Sequence, residues 1–176
     1  MSFFVGTFYW IALTNPIDSS HREVLRFTAS LPPRSVITTD EVLTEFLAFG
    51  GADQRLRRQA GLAVEGLVND PDIRVIPQSR STFFGGLALY NERSDKAYSL
   101  TDCISMGTMR RERLTEVLTN DKHFDQEGSR AVFRVVPSSS SKTVDGKSVG
   151  YRQWRDGKNA NDGIAGFLEN YAGMTN

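Results

Sequence analysis

Two aspartates, Asp102 and Asp121, stand where a carboxylate could do chemistry. Asp102 lies in the first turn of an otherwise apolar helical segment, directly after Thr101. Asp121 follows a short apolar run that ends in Thr-Asn-Asp. In an open parallel sheet, acids that follow successive strand–helix units lie at the carboxyl edge of the sheet, where such sheets bind their ligands. The pair therefore predicts an acidic site at that edge.

Each acid also has a purely structural explanation. Asp102 can cap its helix, because the helix dipole favours a negative charge in the first turn. Asp121 can close a turn, since Asn and Asp are common turn residues. A third acid, Glu45, is flanked by apolar residues in the helix after the second strand, and its carboxylate can equally reach solvent from the margin of the buried stripe. The residues alone leave both explanations open.

Strands and helices alternate along the chain. Short apolar runs predict strands at 2–5, 35–38, 73–76 and 117–118, and partial alternation predicts an edge strand over 130–136. The segments between them have helical spacing. In the helix over 40–49, the residues spaced for burial are Val42, Leu43, Phe46, Leu47 and Phe49. This order predicts an α/β fold, with a mostly parallel central sheet and helices on both faces.

Length and composition indicate one globular domain and an extension. The chain has 176 residues, of which 39% are hydrophobic and 24% charged, which is ordinary for a globular protein. The composition changes at a four-serine run after Pro137. We therefore predict a domain over 1–137 and a weakly ordered Ser/Gly/Asn-rich extension over 138–176. Within the extension, 162–172 could form a short amphipathic helix.

Charge and cysteine content limit the possible functions. The 21 basic and 21 acidic residues cancel, so any nucleic-acid binding requires a local patch. The cations that could bind an RNA backbone are Arg55, Arg57, Arg58 and Lys96. The alternative explanation is that these side chains are simply solvated at the surface. A single cysteine excludes an intrachain disulfide framework, and neither of the two histidines has zinc-finger spacing. No apolar run is long enough to span a membrane, so a cytoplasmic protein is expected.

Four segments together resemble one known family. They run from Phe3-Phe4-Val5 through Thr7 to Leu13, from Thr38 to Leu47, from Ser99 to Ser105, and from Leu118 to Phe124. In this order they look like the PIN domain, in particular VapC-type toxins. The resemblance covers about residues 2–136 and does not extend to the tail. It implies a three-layer α/β sandwich and a metal-dependent ribonuclease.

The resemblance also implies a set of site residues. In the family, acids at the carboxyl edge of the sheet hold Mg²⁺ or Mn²⁺, because hard cations prefer oxygen ligands. Three of these positions carry over as metal-binding and catalytic candidates, namely Glu45, Asp102 and Asp121. Residues that could orient them through hydrogen bonds are Thr7, Thr101 and Asn120. The partners implied are an RNA substrate, a cognate antitoxin and a second copy of the chain.

The fourth acid is missing. The family's first acid follows the first strand, directly before Thr7, and this sequence has Gly6 there. Because glycine supplies no ligand, we expect weaker metal binding and weakened catalysis, unless Asp125 reaches the pocket as a substitute. The alternative is a non-catalytic PIN relic that binds RNA or antitoxin as a decoy. A phosphatase of the haloacid-dehalogenase type or a phospho-receiver domain is disfavoured, since both require an aspartate where Gly6 stands.

One further expectation concerns the tail. The 162–172 segment could fold back and occupy the groove that an antitoxin would fill.

Overall fold

The structure, a computed structural model, describes residues 2–134, without the side chain of Ala52. In chain order the elements are β1 (Phe3–Val5), α1 (Thr7–Thr14), α2 (His21–Thr28), β2 (Val36–Thr39), α3 (Asp40–Phe49), a 3₁₀ turn (Gly50–Ala52), α4 (Gln54–Asn69), β3 (Ile73–Ile76), α5 (Arg80–Glu92), α6 (Leu100–Glu112), β4 (Glu116–Leu118), α7 (His123–Gln126) and β5 (Arg130–Ala131). The predicted alternation of strands and helices is confirmed.

The five strands form one sheet in the order β3-β2-β1-β4-β5, and every pairing is parallel. From β1 the chain builds outward through β2 and β3, and then returns to add β4 on the other side of β1. The strand order therefore reverses between β1 and β4. Open α/β sheets bind ligands at the carboxyl end of such a point, which here is where Val5 pairs with Leu118.

Helices cover both faces of the sheet. Successive residues of a strand point to opposite faces, and every residue of β2 and β4 is buried. Parallel sheets are buried on both faces because helical crossovers pack against them. The α/β sandwich predicted for this chain is thus confirmed, with seven helices in residues 2–134. The core includes fully buried Tyr9, Trp10 and Phe4.

The end of β2 passes directly into α3 without a loop. Thr39 is the N-cap residue, and its hydroxyl accepts a hydrogen bond from the backbone N–H of Val42. This cap fixes the angle at which α3 leaves the sheet, and so helps to fix the position of Glu45 in the second turn of the helix. A cap also starts α4, where Asp53 accepts from the N–H of Leu56 at 2.8 Å.

Two details of the sequence interpretation were wrong. In α3, Val42, Leu43 and Phe46 are buried, but Leu47 is 39% and Phe49 50% exposed. A stripe of five apolar positions is wider than the single sheet-facing side that this helix buries. The strand predicted over 130–136 is limited to Arg130–Ala131, after which the chain turns.

Several predictions lie outside the described residues. These are the end of the edge strand at 135–136, the domain boundary after residue 137, the extension over 138–176 and the helix over 162–172. Within 2–134, no helix is long and apolar enough to cross a membrane.

Candidate functional site

A cavity of about 800 Å³ opens at the carboxyl edge of the sheet, where β1 and β4 lie side by side. Its walls come from the starts of α1, α2 and α6, from one face of α3 and from the segment after β4. It is lined by all three acids proposed from the sequence, together with Gly6, Thr7, Thr101 and Asn120. The parallel topology thus brings together residues that are more than one hundred positions apart in the chain.

Asp102 is both a helix cap and a wall of the cavity. Its carboxylate accepts a hydrogen bond from the N–H of Ser99 at 2.9 Å, and its own N–H donates to the Ser99 hydroxyl at 3.0 Å. This reciprocal capping box starts α6. Burial raises the pKa of Asp102 above its usual range, the Ser99 hydrogen bonds oppose the rise, and the negative charge of Asp121 adds to it. The capping explanation is therefore confirmed, and it does not remove Asp102 from the cavity.

Asp121 is held in a tight turn after β4. The hydroxyl of Thr119 accepts from the Asp121 N–H at 3.2 Å, and Asp121 Oδ1 in turn accepts from the N–H of His123 at 2.9 Å. This Asx turn starts the short helix α7. It uses one carboxylate oxygen of Asp121 and leaves Oδ2 beside the His123 ring, 3.2 Å from Nδ1.

Asp102, Asp121 and His123 form a close group. One possible ligand atom from each lies within 4.8 Å of the other two, and no other trio of acidic, histidine or cysteine side chains in residues 2–134 meets this condition. His123 was missed in the sequence analysis, which tested histidines only for zinc-finger spacing. Its position two residues after Asp121 was the available signal, because an Asx turn brings those two side chains together.

Glu45 lines the same cavity from α3 but is not a member of the close group. The Thr7 hydroxyl donates a hydrogen bond to Glu45 Oε2. Thr7 thus has the orienting contact expected of it. The contact joins the start of α1, just after β1, to the helix that follows β2.

Gly6 lines the cavity. Its backbone is extended, with φ −91° and ψ 172°, and it is the N-cap residue of α1 without any side chain to cap it. A Cβ atom built on Gly6 would lie 3.7 Å from Cβ of Thr119 and 3.8 Å from its hydroxyl oxygen, which are ordinary van der Waals distances. The backbone at position 6 therefore accepts a residue with a Cβ atom without strain or a clash at that atom.

Other sequence-based candidates have different surroundings. Thr101 and Asn120 line the cavity, but within residues 2–134 neither donates a hydrogen bond to one of the acids. Asp125 does not line the cavity. Its carboxylate accepts from the Ala131 N–H at 2.9 Å and pairs with Arg134, so it is committed to holding β5 against α7. The suggestion that Asp125 replaces the missing acid is wrong.

The cationic candidates lie away from the acids. Arg55, Arg57 and Arg58 are exposed on α4 and do not line the cavity, and Lys96 lies 3.3 Å from Asp95. Two cations that the sequence analysis did not single out do line it. Lys122 is exposed and has no carboxylate within ion-pair distance among residues 2–134, whereas Arg134 is paired with Asp125.

The residues of the close group fit a divalent cation. Two carboxylates and an imidazole are common ligands of such ions. Asp102 and Asp121 repel each other while both are ionised, and a cation between them would relieve that repulsion. Nδ1 of His123 is buried and has no hydrogen-bond partner within the described residues. Buried polar atoms normally have a partner, and a bound ion would supply one.

Solved structures of other proteins include similar folds. VapC20 of Mycobacterium tuberculosis, described as a toxin that cleaves the sarcin-ricin loop, superimposes with a TM-score of 0.68. The two chains are 26% identical, and the match covers 74% of this chain and 98% of VapC20. The described residues have the fold of a VapC-type PIN domain. The resemblance noted in the sequence is thereby confirmed.

Other comparisons add little to this assignment. A chain in a toxin–antitoxin complex from Klebsiella pneumoniae matches with a TM-score of 0.49 and 20% identity, over 68% of this chain and 87% of that one. No family model and no curated protein sequence matches the chain. Within the PIN domain, the cavity lies at the carboxyl edge of the sheet, between β1 and β4.

Proposed function

We propose that this PIN domain is a metal-dependent endoribonuclease of the VapC toxin type, which hydrolyses RNA phosphodiester bonds with weakened catalysis. The observation that carries the proposal is the grouping of Asp102, Asp121 and His123 at the carboxyl edge of a parallel sheet, with Glu45 in the same cavity. The similarity to VapC20, an RNA-cleaving toxin, supports the choice of substrate.

Each acid has a distinct role in this proposal. Asp102 and Asp121 hold the divalent ion, Mg²⁺ or Mn²⁺, and their orientation is fixed by the capping box at Ser99 and by the Asx turn. Glu45, oriented by Thr7, lies further away and faces the same cavity. When bound, the ion lowers the pKa of an attacking water and screens the phosphate charge.

The proposed roles depend on how firmly the carboxylates are held. Hydrogen bonds to backbone N–H groups fix carboxylate positions before any substrate arrives, so little reorganisation is needed during the reaction. Asp102 is held by α6, and Asp121 by the turn between β4 and α7. Lys122, next to Asp121 and unpaired among residues 2–134, is placed to contact an RNA phosphate at the cavity rim.

The weakened catalysis follows from Gly6. Gly6 directly follows β1, which is the central strand of the sheet. A carboxylate at this position would therefore lie in the middle of the carboxyl edge. Loss of groups that only support the ligands of a metal costs about 10–100-fold in affinity or activity, so the loss of a ligand should cost at least as much. The close group of Asp102, Asp121 and His123 still offers an ion three protein ligands.

The partners belong to the same proposal. A VapC-type toxin pairs with an antitoxin, and we extend this to the present chain, together with self-association. Apolar side chains on the surface support it, since Leu47, Phe49, Phe83 and Phe84 are 39–51% exposed. Exposed apolar side chains in such numbers are favourable contacts for a protein partner.

The test is ion-dependent cleavage of structured RNA by the full chain, with a sarcin-ricin loop hairpin among the substrates. We expect slow cleavage in Mn²⁺ or Mg²⁺, none in EDTA, and a loss of at least about 100-fold in Asp102→Asn and Asp121→Asn. Glu65→Gln, which neutralises an exposed carboxylate on α4 outside the cavity, is the control and should keep the wild-type rate. Equal rates for Asp121→Asn and Glu65→Gln would contradict the proposal.

A second function is favoured by one observation. Glu45 is outside the close group and Gly6 supplies no ligand, so the acids could suffice for binding and not for catalysis. The protein would then act as a decoy that binds RNA or antitoxin. Ion-dependent RNA binding without any cleavage, in the same assay, would support this alternative.

A further inference from the structure

We infer that His123 is a metal ligand, and that it makes the site selective for a transition ion such as Co²⁺ or Mn²⁺ over Mg²⁺. The resemblance to the VapC family assigns no role to this histidine. The inference deepens the proposed function and rests on it for the presence of an ion in this cavity. It concerns which ion binds and through which atoms.

The first observation is the environment of Nδ1. This atom is buried and makes no hydrogen bond within residues 2–134, although it lies only 3.2 Å from Asp121 Oδ2. At that distance the two atoms are close, but they are not aligned for an N–H···O hydrogen bond. A buried imidazole nitrogen without a hydrogen-bond partner in residues 2–134, in a group with two carboxylates, is arranged as a metal ligand once it is deprotonated.

The second observation is the distance between Nδ1 of His123 and Oδ2 of Asp121. Ligands bound at about 2.1 Å lie about 3.0 Å apart at adjacent positions of an octahedral ion, and zinc-like tetrahedral geometry at similar bond lengths separates them by about 3.4 Å. The observed 3.2 Å between Nδ1 and Oδ2 falls between these values. An ion could therefore bind both atoms without a rearrangement of the turn.

The third observation is that the histidine ring is held in place. Its backbone N–H is fixed by Asp121, and the ring packs against the ring of Tyr98, with centroids 5.0 Å apart and an angle of 59° between the planes. The next residue, Phe124, is 97% buried and anchors α7 in the core. The ring is thus preorganised, and binding an ion would cost little conformational entropy.

The chemical consequence is a change in ion preference. Mg²⁺ is best bound by oxygen and retains its waters, whereas imidazole favours the transition ions. A site of two carboxylates and one imidazole therefore discriminates against Mg²⁺, more strongly than the all-carboxylate site that Gly6 has left incomplete. His123 thus supplies a neutral ligand in a site that has no carboxylate at position 6, and this ligand changes the preferred ion.

The experiment measures ion binding to the full-length protein directly, without RNA. Calorimetric titration with Mn²⁺, Co²⁺ or Mg²⁺ alone should give transition-ion affinities at least about 10-fold above that of Mg²⁺. His123→Gln should lower the Co²⁺ and Mn²⁺ affinities by about 10–100-fold and change the Mg²⁺ affinity by less than about 3-fold. Circular dichroism of the variant checks that it is folded.

The chain offers a matched control, because it contains only two histidines. His21 lies outside the cavity, and its Nδ1 is 2.7 Å from the carbonyl oxygen of Ala12. His21→Gln should bind Co²⁺ as the wild type does. Proton NMR of the Co²⁺ complex should show one strongly shifted, exchangeable imidazole N–H in the wild type and His21→Gln, and none in His123→Gln.

Unchanged Co²⁺ affinity in His123→Gln, or no shifted imidazole proton in the wild type, would overturn the inference. Its failure is distinguishable from that of the proposed function. A shifted imidazole proton without RNA cleavage would support the ligand assignment and contradict the nuclease. RNA cleavage with an ion affinity that does not depend on His123 would do the reverse.

Discussion

The Thr7 hydroxyl donates a hydrogen bond to the Glu45 carboxylate, across the gap between the start of α1 and the second turn of α3. Thr7 is the residue directly after Gly6, which carries no side chain. In the site proposed above, the contact that supports Glu45 is therefore present, while the position next to Thr7 supplies no carboxylate.

Removal of the Thr7 hydroxyl should reduce catalysis by misplacing Glu45. We expect Thr7→Val to lower kcat by about 10-fold, with little change in KM, because the lost group supports the site and does not bind RNA. Thr7→Ser keeps the hydroxyl and should restore most of the rate. Single-turnover cleavage in the Gly6→Asp background, where the rate is highest, is the measurement. Equal impairment of both variants would assign Thr7 a packing role only.

The close packing of α5 against α6 depends on Gly86. A Cβ atom at this position would lie 2.3 Å from Cγ1 of Ile104 and 3.1 Å from its backbone nitrogen. We expect Gly86→Ala to lower the free energy of unfolding by about 1–3 kcal/mol through overpacking. Gly85→Ala, in the same helix with open space around it, should instead stabilise the protein by about 0.5–1 kcal/mol. Urea unfolding measures both, and a gain in stability for Gly86→Ala would contradict the account.

Glu127 links three elements through its buried carboxylate. It pairs with Arg93 and Arg110 and accepts a hydrogen bond from the Tyr98 hydroxyl at 3.2 Å. Burial alone would raise the pKa of Glu127, but the hydrogen bonds from Arg93 and Tyr98 and the charges of both arginines hold it below its usual range. Because the folded-state pKa is lowered, the ionised carboxylate stabilises the fold above about pH 4.3, and this contribution is lost as the pH falls below that value.

We therefore expect Glu127→Gln to lower the free energy of unfolding by about 1–3 kcal/mol at pH 7, and by much less near pH 3. Denaturant unfolding in EDTA at both pH values measures the difference. Glu65→Gln, at an exposed position, is the matched control and should show little effect at either pH. A difference for Glu127→Gln that is equally large at pH 3 would contradict the ion-pair explanation.

The fold and the positions of two candidate acids could be predicted from the sequence, because both predictions depend on residues that are close together in the chain. Asp102 is part of the Ser99 capping box, and Asp121 lies in the turn after the buried strand β4. In a parallel sheet, local position along the chain fixes which edge a residue reaches. The same rule placed Gly6, because it directly follows β1.

What the sequence could not supply depends on contacts between distant segments. His123 becomes a member of the group through the Asx turn and its packing on Tyr98. The carboxylate of Asp125 is held outside the cavity by its ion pair with Arg134 and its hydrogen bond from the Ala131 N–H. No spacing rule predicts these two contacts. Leu47 is apolar and helical in spacing, yet its position on α3 is exposed.

The central claim is that Gly6 limits an otherwise intact nuclease site, and the most direct measurement compares the wild type with Gly6→Asp on a panel of structured RNAs in Mg²⁺ or Mn²⁺. A Cβ atom at this position meets only ordinary van der Waals contacts. We predict cleavage at least about 10–100-fold faster in the variant, abolished again by Asp121→Asn in the same background. Equal rates for the wild type and Gly6→Asp would contradict the claim.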